Sequence, residues 1–526
     1  MTLPTITTRV AFASDPMADS PSWTTLSGVD VMRFTTRRGR NHELDRVQAG
    51  QAAIILNNNN NKYWPDLTTG PYYTNIKPGK RVNIRATHYP LAWVSPTGYV
   101  NIGAAYYYPT RAYDGDTNTF AYTTMFRGAM TNFLELTHPG VTATKLRYYG
   151  SVTTGTPTID IDIYYGGAWH DLYYGVMAQN TWTEVDFGGA QDITSVRVRG
   201  YYSGGNRVGQ FRINELELWN NGPYTYDLYT GFVDKWTPSF RSLSGRGAII
   251  SVSCLDAQNN LARYLLNNAG EVLELSGTRV GNVLDEIGFP AADRALDTGQ
   301  SYMIATGAQA NVNAMDHLFT VQDSEYGVLF FAGNGYATFH DRHHRLLTTE
   351  CNTSQATFGN DSTERRFVDI VLDMDAKDVL NDIRVTRSGG SEQTASDSTS
   401  QDTYGKRSLS RTGLLMPTDA EASDQANYIL SRFKDGTLRV KALVIRPQGD
   451  PTNLWPKVLS YDIGYRITLN LDRAGISKDY HIEGISHSVD SQTGTWETRW
   501  ELSDADSQNY WILDTSELDT NTRLAY

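Results

Sequence analysis

The run His340-Asp341-Arg342-His343-His344 is the densest group of potential metal ligands in the sequence. A zinc site needs donors that a turn or helix brings to one point at characteristic spacings. This run has none of those spacings, and a strand would point His340 away from Asp341 and His343. It reads as the polar end of a hairpin. Asp160 and Asp162 share one face of a predicted strand, as half of a paired-carboxylate hydrolytic site would, but no facing carboxylate at the required separation is evident. Serine-nucleophile elbows, HExxH helices and phosphate-cradling glycine loops are absent from the sequence. The sequence therefore predicts no catalytic residue and no enzymatic activity.

Binding chemistry is better represented. The stretch from Tyr89 to Gly222 holds 15 of the chain's 32 tyrosines. Flat aromatic faces on loops can stack on sugar rings while short polar side chains fix the hydroxyls. The candidates are Tyr106, Tyr107, Tyr108, Trp169, Tyr173, Tyr174, Tyr201 and Tyr202. Two other readings stay open for them: contact with a protein partner, or plain covering of a sheet, since paired tyrosines alternate between its faces. Asp114 and Asp116 lie in a DGD turn; their oxygens can ligate Ca²⁺ or close an Asx turn. No other cofactor is implied.

The net charge of −12, with no basic stripe, argues against a nucleic-acid surface. Hydrophobic residues at 40% and charged residues at 20% fit a folded, soluble chain, and 526 residues exceed one core. Cys254 and Cys351 are the only cysteines, so a disulfide scaffold is not expected. The N-terminus lacks a signal-peptide pattern, and no apolar run reaches the length of a membrane span, so no membrane anchor is expected.

The elements that must carry these residues are mainly strands. Ile6 to Ala13, Trp23 to Thr35, the AAIILN run and Arg81 to His88 read as strands, and the pattern resumes at Tyr226 to Trp236 and Ala248 to Asp256. Helical spacing marks Asn259 to Leu273, Arg279 to Ile287 and Asn311 to Gln322. Asn334-Gly335 punctuates a hairpin from Glu325 to Asp341. Ser388 to Lys406 reads as a polar loop, and Asp419 to Phe433 as a helix capped by Thr418 with Glu421. Strands return from Leu438 to Ser503. Two basic stretches, Arg33 to Arg46 and Val82 to Arg85, are either subunit contacts or solvated strand faces.

The β-rich N-terminal unit thus stops near Thr87 and resumes near Tyr224. The segment between carries NFLELTH, KLRYYGSV, TIDIDIYY, WTEVDFG, SVRVRGYY and FRINELELW, strands expected to form an antiparallel jelly roll. TRAYDGDTNTFAYT, NFLELTH and FRINELELW resemble the early loop, the following strand and the closing strand of discoidin-like (galactose-binding-like) domains.

The flanks resemble one family in an ordered series. RFTTRRGRNHELDRVQAGQAAIILNN, GPYYTNIKPGKRVNIRATH and LYTGFVDKW look like the opening domain of siphophage minor tail proteins. SEYGVLFFAGNGYATFHDRHHR resembles their second domain; VLNDIRVTRSGG, TYGKRSL and TDAEASDQANYIL the third; YHIEGISHSVDSQTGTWETRWELS the final strands. The resemblance implies a multidomain, mainly β tail-hub fold with minor α, divided as 1–88 plus 223–258, 259–365, 366–435 and 436–526, with 89–222 inserted. It further implies a homotrimeric ring at the distal tail tip of a virion, made in the host cytoplasm. Its expected partners are the tail tube, a distal tail protein and central fibre or spike proteins. The inserted module would be free to meet host-surface glycans.

Overall fold

The computed structural model describes residues 3–202, 209–240, 247–374, 378–505, 509–510 and 522–523. It separates into two compact units, Met1–Ala86 with Tyr226–Tyr526, and Thr87–Thr225. The architecture is mainly β with a few helices.

In the first unit one long sheet runs through Thr24–Thr25, Thr5–Val10, Arg81–His88, Tyr224–Phe240, Ala248–Leu255, Gln51–Asn57, Val31–Gly39, Ile476–Asp490, Thr495–Asp504, Arg439–Ile445 and Asp369–Asp373. The antiparallel pairing of Val31–Gly39 with Ile476–Asp490, from Arg33↔Asp490 to Gly39↔Gly484, makes the N-terminal and C-terminal strands parts of one surface. Gly39 is required at that seam. Its φ is +91°, and a Cβ there would lie 2.3 Å from the Glu483 carbonyl oxygen. Tryptophans anchor the flanking cores: Trp455 and Trp496 meet edge to face at 5.0 Å beside Phe34, and Trp500 packs against Phe358.

The amphipathic helices Ser276–Glu286 and Ala314–Glu325 pack in a separate core with Leu329, Phe331 and Phe339 of the expected hairpin. The helix Asp419–Phe433 begins as the capping box dictates, with Thr418 Oγ1 accepting the Glu421 N–H.

Several expectations fail locally. The helix expected over Asn259–Leu273 is only Ala257–Leu261, capped by Asp256; Leu265–Asn268 then pairs with Gln309–Asn313 as a strand. The polar loop 388–406 instead contains strand Gln393–Ser396 and helix Ser398–Tyr404, whose N-terminal N–H groups are met by Asp397. Pro451–Ser460 is a helix that the proline inside it, Pro456, conceals from a sequence reading. The basic stretches divide: Arg33 and Arg37 are exposed, whereas neighbouring arginines are engaged within the chain. Arg38 pairs with Asp462, Arg40 with Glu483, Arg46 with Asp323, Arg81 with Asp293 and Arg85 with Asp227, while Val82 and Ile84 are core.

Among its described residues the second unit has eight strands in one hydrogen-bonded system. Ala168–Val176, Thr158–Tyr165, Thr183–Tyr201, Leu134–Val152, Gly209–Asn220 and Ala92–Val94 follow in order, with Gly98–Asn101 and Ala121–Met125 on side branches. NFLELTH and KLRYYGSV are therefore one strand, as are WTEVDFG and SVRVRGYY. Register shifts at Asp186/Gln191 and Ile193/Ser195 hold the HPG and FGG segments as bulges, so each 19-residue strand changes partners along its length. Alternation explains the packing of Thr158–Tyr165. Ile159, Ile161 and Ile163 enter the core, while Asp160 and Asp162 face Arg199 and Arg197, each at 2.7 Å.

Candidate ligand site of the inserted unit

The most exposed tyrosines of the candidate set lie on one short loop. Asn101 clamps its start: its amide donates to the Tyr106 carbonyl at 2.8 Å, and its side-chain oxygen accepts the Tyr106 N–H at 3.0 Å. Tyr107 then exchanges backbone hydrogen bonds with Tyr122 at 2.8 and 3.1 Å. Tyr108 sits in the left-handed region at φ +53°, a conformation that costs a non-glycine residue about 1–3 kcal/mol. It leads directly into the turn Pro109–Ala112.

These constraints assemble an aromatic strip. Tyr107 stacks on Tyr122 at 5.0 Å with rings 17° apart; Tyr108 lies 6.3 Å and Phe120 6.0 Å from the same ring. Arg111 covers Tyr108 at 4.3 Å and Arg212 covers Phe120 at 4.2 Å. Tyr107 and Tyr108 are 58% and 57% exposed, so each presents ring surface to solvent. Phe120, Tyr122, Arg111 and Arg212 escape sequence reasoning; the i, i+2 spacing of Phe120 and Tyr122 was the available signal.

The other candidates divide. Tyr106 and Tyr202 are buried in the core and offer no face to a ligand. Tyr173 packs against that core and donates its hydroxyl to the Val176 carbonyl at 3.2 Å. Trp169, Tyr173, Tyr174 and Tyr201 lie on strands, not loops. Trp169 carries Arg197 over its ring at 4.3 Å. Tyr174, 56% exposed, stands apart from the strip on Ala168–Val176.

Beside the strip, the DGD loop closes on itself. Asp114 Oδ1 accepts the Asp116 N–H at 3.0 Å and Oδ2 the Thr119 hydroxyl at 2.6 Å; Asp116 Oδ1 accepts the Asn118 N–H at 2.9 Å. Both aspartates thus make Asx turns. Beneath them lies Glu215, 1% exposed, whose Oε1 accepts the Gly115 N–H at 2.7 Å and whose carboxyl meets that of Asp114. Burial, reinforced by Asp114, pushes its pKa up to about 7. Two carboxyls held together, one of them buried, are a donor set suited to a hard cation such as Ca²⁺. Asp114 and Glu215 would hold it, with Asp116 in the same loop; in the structure both aspartates accept hydrogen bonds from the loop itself.

Two other clusters of chemistry-bearing groups are largely satisfied internally. Asp160, Asp162 and Asp171 bring carboxylate oxygens within 4.8 Å of one another, but the first two are paired with arginines. His344 Nδ1 meets Asp297 at 2.8 Å; burial would lower its pKa, yet Asp297 holds it at about 9. His340 stacks on it at 3.5 Å and burial lowers its pKa to about 3.

Over most of its length the chain is similar to solved phage tail proteins. The tail protein from Neisseria meningitidis MC58 is 10% identical, with TM-score 0.46, covering 95% of this chain and 96% of its own. The 43 kDa tail protein of prophage MuSo2 from Shewanella oneidensis is 9% identical, with TM-score 0.44, covering 95% and 98%. On a smaller part, the family 32 carbohydrate-binding module of NanJ from C. perfringens, solved in complex with galactose, is 14% identical, with TM-score 0.19, covering 26% of this chain and 98% of its own. No family model and no curated protein matches the chain. No helix among the described residues is long and apolar enough to cross a membrane.

Proposed function

We propose that the chain is a structural component of a phage tail, a ring-forming hub at the distal tip, and that its inserted unit binds host-surface saccharides. The single observation carrying the saccharide reading is the solvent-facing aromatic strip around Tyr107 and Tyr108. Rigid rings fixed by backbone hydrogen bonds contact a sugar at low conformational cost.

The scaffold reading is supported by the ordered resemblance of the flanks and by the way the insertion is accommodated. The strands that flank it, Arg81–His88 and Tyr224–Phe240, are neighbours in the long sheet. An insertion between neighbouring strands leaves their pairing intact. The hub would close the tail tube and join it to fibres or a spike as a homotrimer. Ca²⁺ at Asp114 and Glu215 would stiffen the loop beside the strip, and no catalytic step is assigned. Native mass measurement and particle imaging test the assembly, and a monomer within intact virions overturns it. Glycan-array binding by the full chain tests the saccharide role; absence of binding by folded protein removes it.

A further inference from the structure

The aromatic strip ends in a guanidinium on each side, and neither is neutralised. Five arginines of the inserted unit lie over aromatic rings. Arg147, Arg197 and Arg199 are also ion-paired, with Glu217, Asp162 and Asp160. Arg111 and Arg212 differ: among the described residues no carboxylate oxygen lies within 4.0 Å of either. Arg212 spends Nε and Nη2 on the Gln210 amide oxygen, at 3.0 and 2.7 Å, which fixes the fork without cancelling its charge. Asp114 feels the field of Arg111 from beyond ion-pair range, and it is the carboxylate assigned above to a cation.

We propose that the strip selects saccharides carrying an anionic substituent, with Tyr107 and Tyr108 supporting the ring and Arg111 and Arg212 reading the charge at its two ends. This rests on the saccharide reading of the strip. A guanidinium stacked on a ring stays planar and can meet a carboxylate; Arg212 keeps its Nη1 side for this, since Nε and Nη2 are held by Gln210. A neutral sugar leaves both charges to water. Hydrogen bonds to a charged group are stronger than neutral ones, so an acidic sugar should bind about tenfold tighter than its neutral counterpart.

The test is calorimetry on the full chain with two probes of equal length, an oligogalacturonate and the matching galactose oligomer. The expected result is about tenfold tighter binding of the acidic probe. Arg111→Gln and Arg212→Gln should each lower the ratio of acidic-probe to neutral-probe affinity, and Arg111→Lys should retain part of that ratio. Equal affinity of the wild-type chain for both probes, or an undiminished preference in both glutamine variants, overturns charge selection while leaving the saccharide reading intact. No binding of either probe by folded protein overturns both.

Discussion

Glu483 Oε2 accepts a hydrogen bond from Arg40 Nε at 2.7 Å, joining a strand near the start of the chain to one near its end. Glu483 Oε1 accepts from Arg345 at 2.7 Å and from the Ser503 hydroxyl. Burial alone would raise the Glu483 pKa, but Arg345 and Arg40 together hold it well below the usual carboxylate range. One fully buried carboxylate thus ties the N-terminal strands, the histidine-rich segment and the C-terminal strands. Replacing it strands two arginines, which costs about 3–5 kcal/mol when a buried pair loses one partner. Glu483→Gln should lower the denaturant midpoint of the first unit accordingly; a change below about 1 kcal/mol would show the triad to be dispensable.

Two buried histidines of the same unit make its stability pH-dependent. Burial lowers the pKa of His481 and of His487 to about 3, and both are hydrogen-bonded, to the Cys351 carbonyl and Thr498 Oγ1. An unfolded histidine titrates near 6.5. The folded groups stay neutral where the unfolded ones take up protons, so their stabilising effect is complete above about pH 6.5 and is lost as pH falls towards 3. The expected loss is about 1.4 kcal/mol per pH unit for each histidine. Urea titrations at pH 7.5, 6 and 5 should show it, and a flat profile would contradict the burial.

The DGD loop should respond to Ca²⁺. With Asp114 and Glu215 intact, millimolar Ca²⁺ should raise the melting temperature of the inserted unit, and Glu215→Gln should abolish the increment. An equal increment in the variant would place the ion elsewhere.

Much of this was legible in the sequence, for identifiable reasons. Long strand-like runs such as Thr158–Tyr165 and Ile476–Asp490 read correctly because alternation of residue type along a strand is local information. Thr418 and Glu421 marked their helix because a cap is a contact between near neighbours. Leu265–Asn268 was misread because its strand state depends on a distant partner, Gln309–Asn313, whereas leucine spacing alone suits a helix. The ion pairs within the basic stretches were hidden for the same reason: their acids lie far along the chain, as with Arg38 and Asp462. At the site, Tyr107 and Tyr108 could be picked out by type. Separating them from buried Tyr106 required the Asn101 clamp, and finding Glu215 required the fold that brings it under Gly115.

The tyrosines therefore separate by experiment. Tyr107→Ala and Tyr108→Ala should weaken saccharide binding at least about tenfold with little change in melting temperature, since both rings face solvent. Tyr106→Ala should instead destabilise the inserted unit by about 3–5 kcal/mol, as loss of a buried aromatic does. Isothermal titration alongside thermal melts distinguishes the two outcomes.

The central claim is that this chain sits at the end of a phage tail and displays its inserted unit there. The most direct measurement is electron microscopy of virions decorated with an antibody fragment raised against residues 87–225. The account predicts label confined to the distal tail tip with the symmetry of a three-subunit ring. Label along the tail shaft or on the head, or intact virions without label while the free chain binds the fragment, would contradict it.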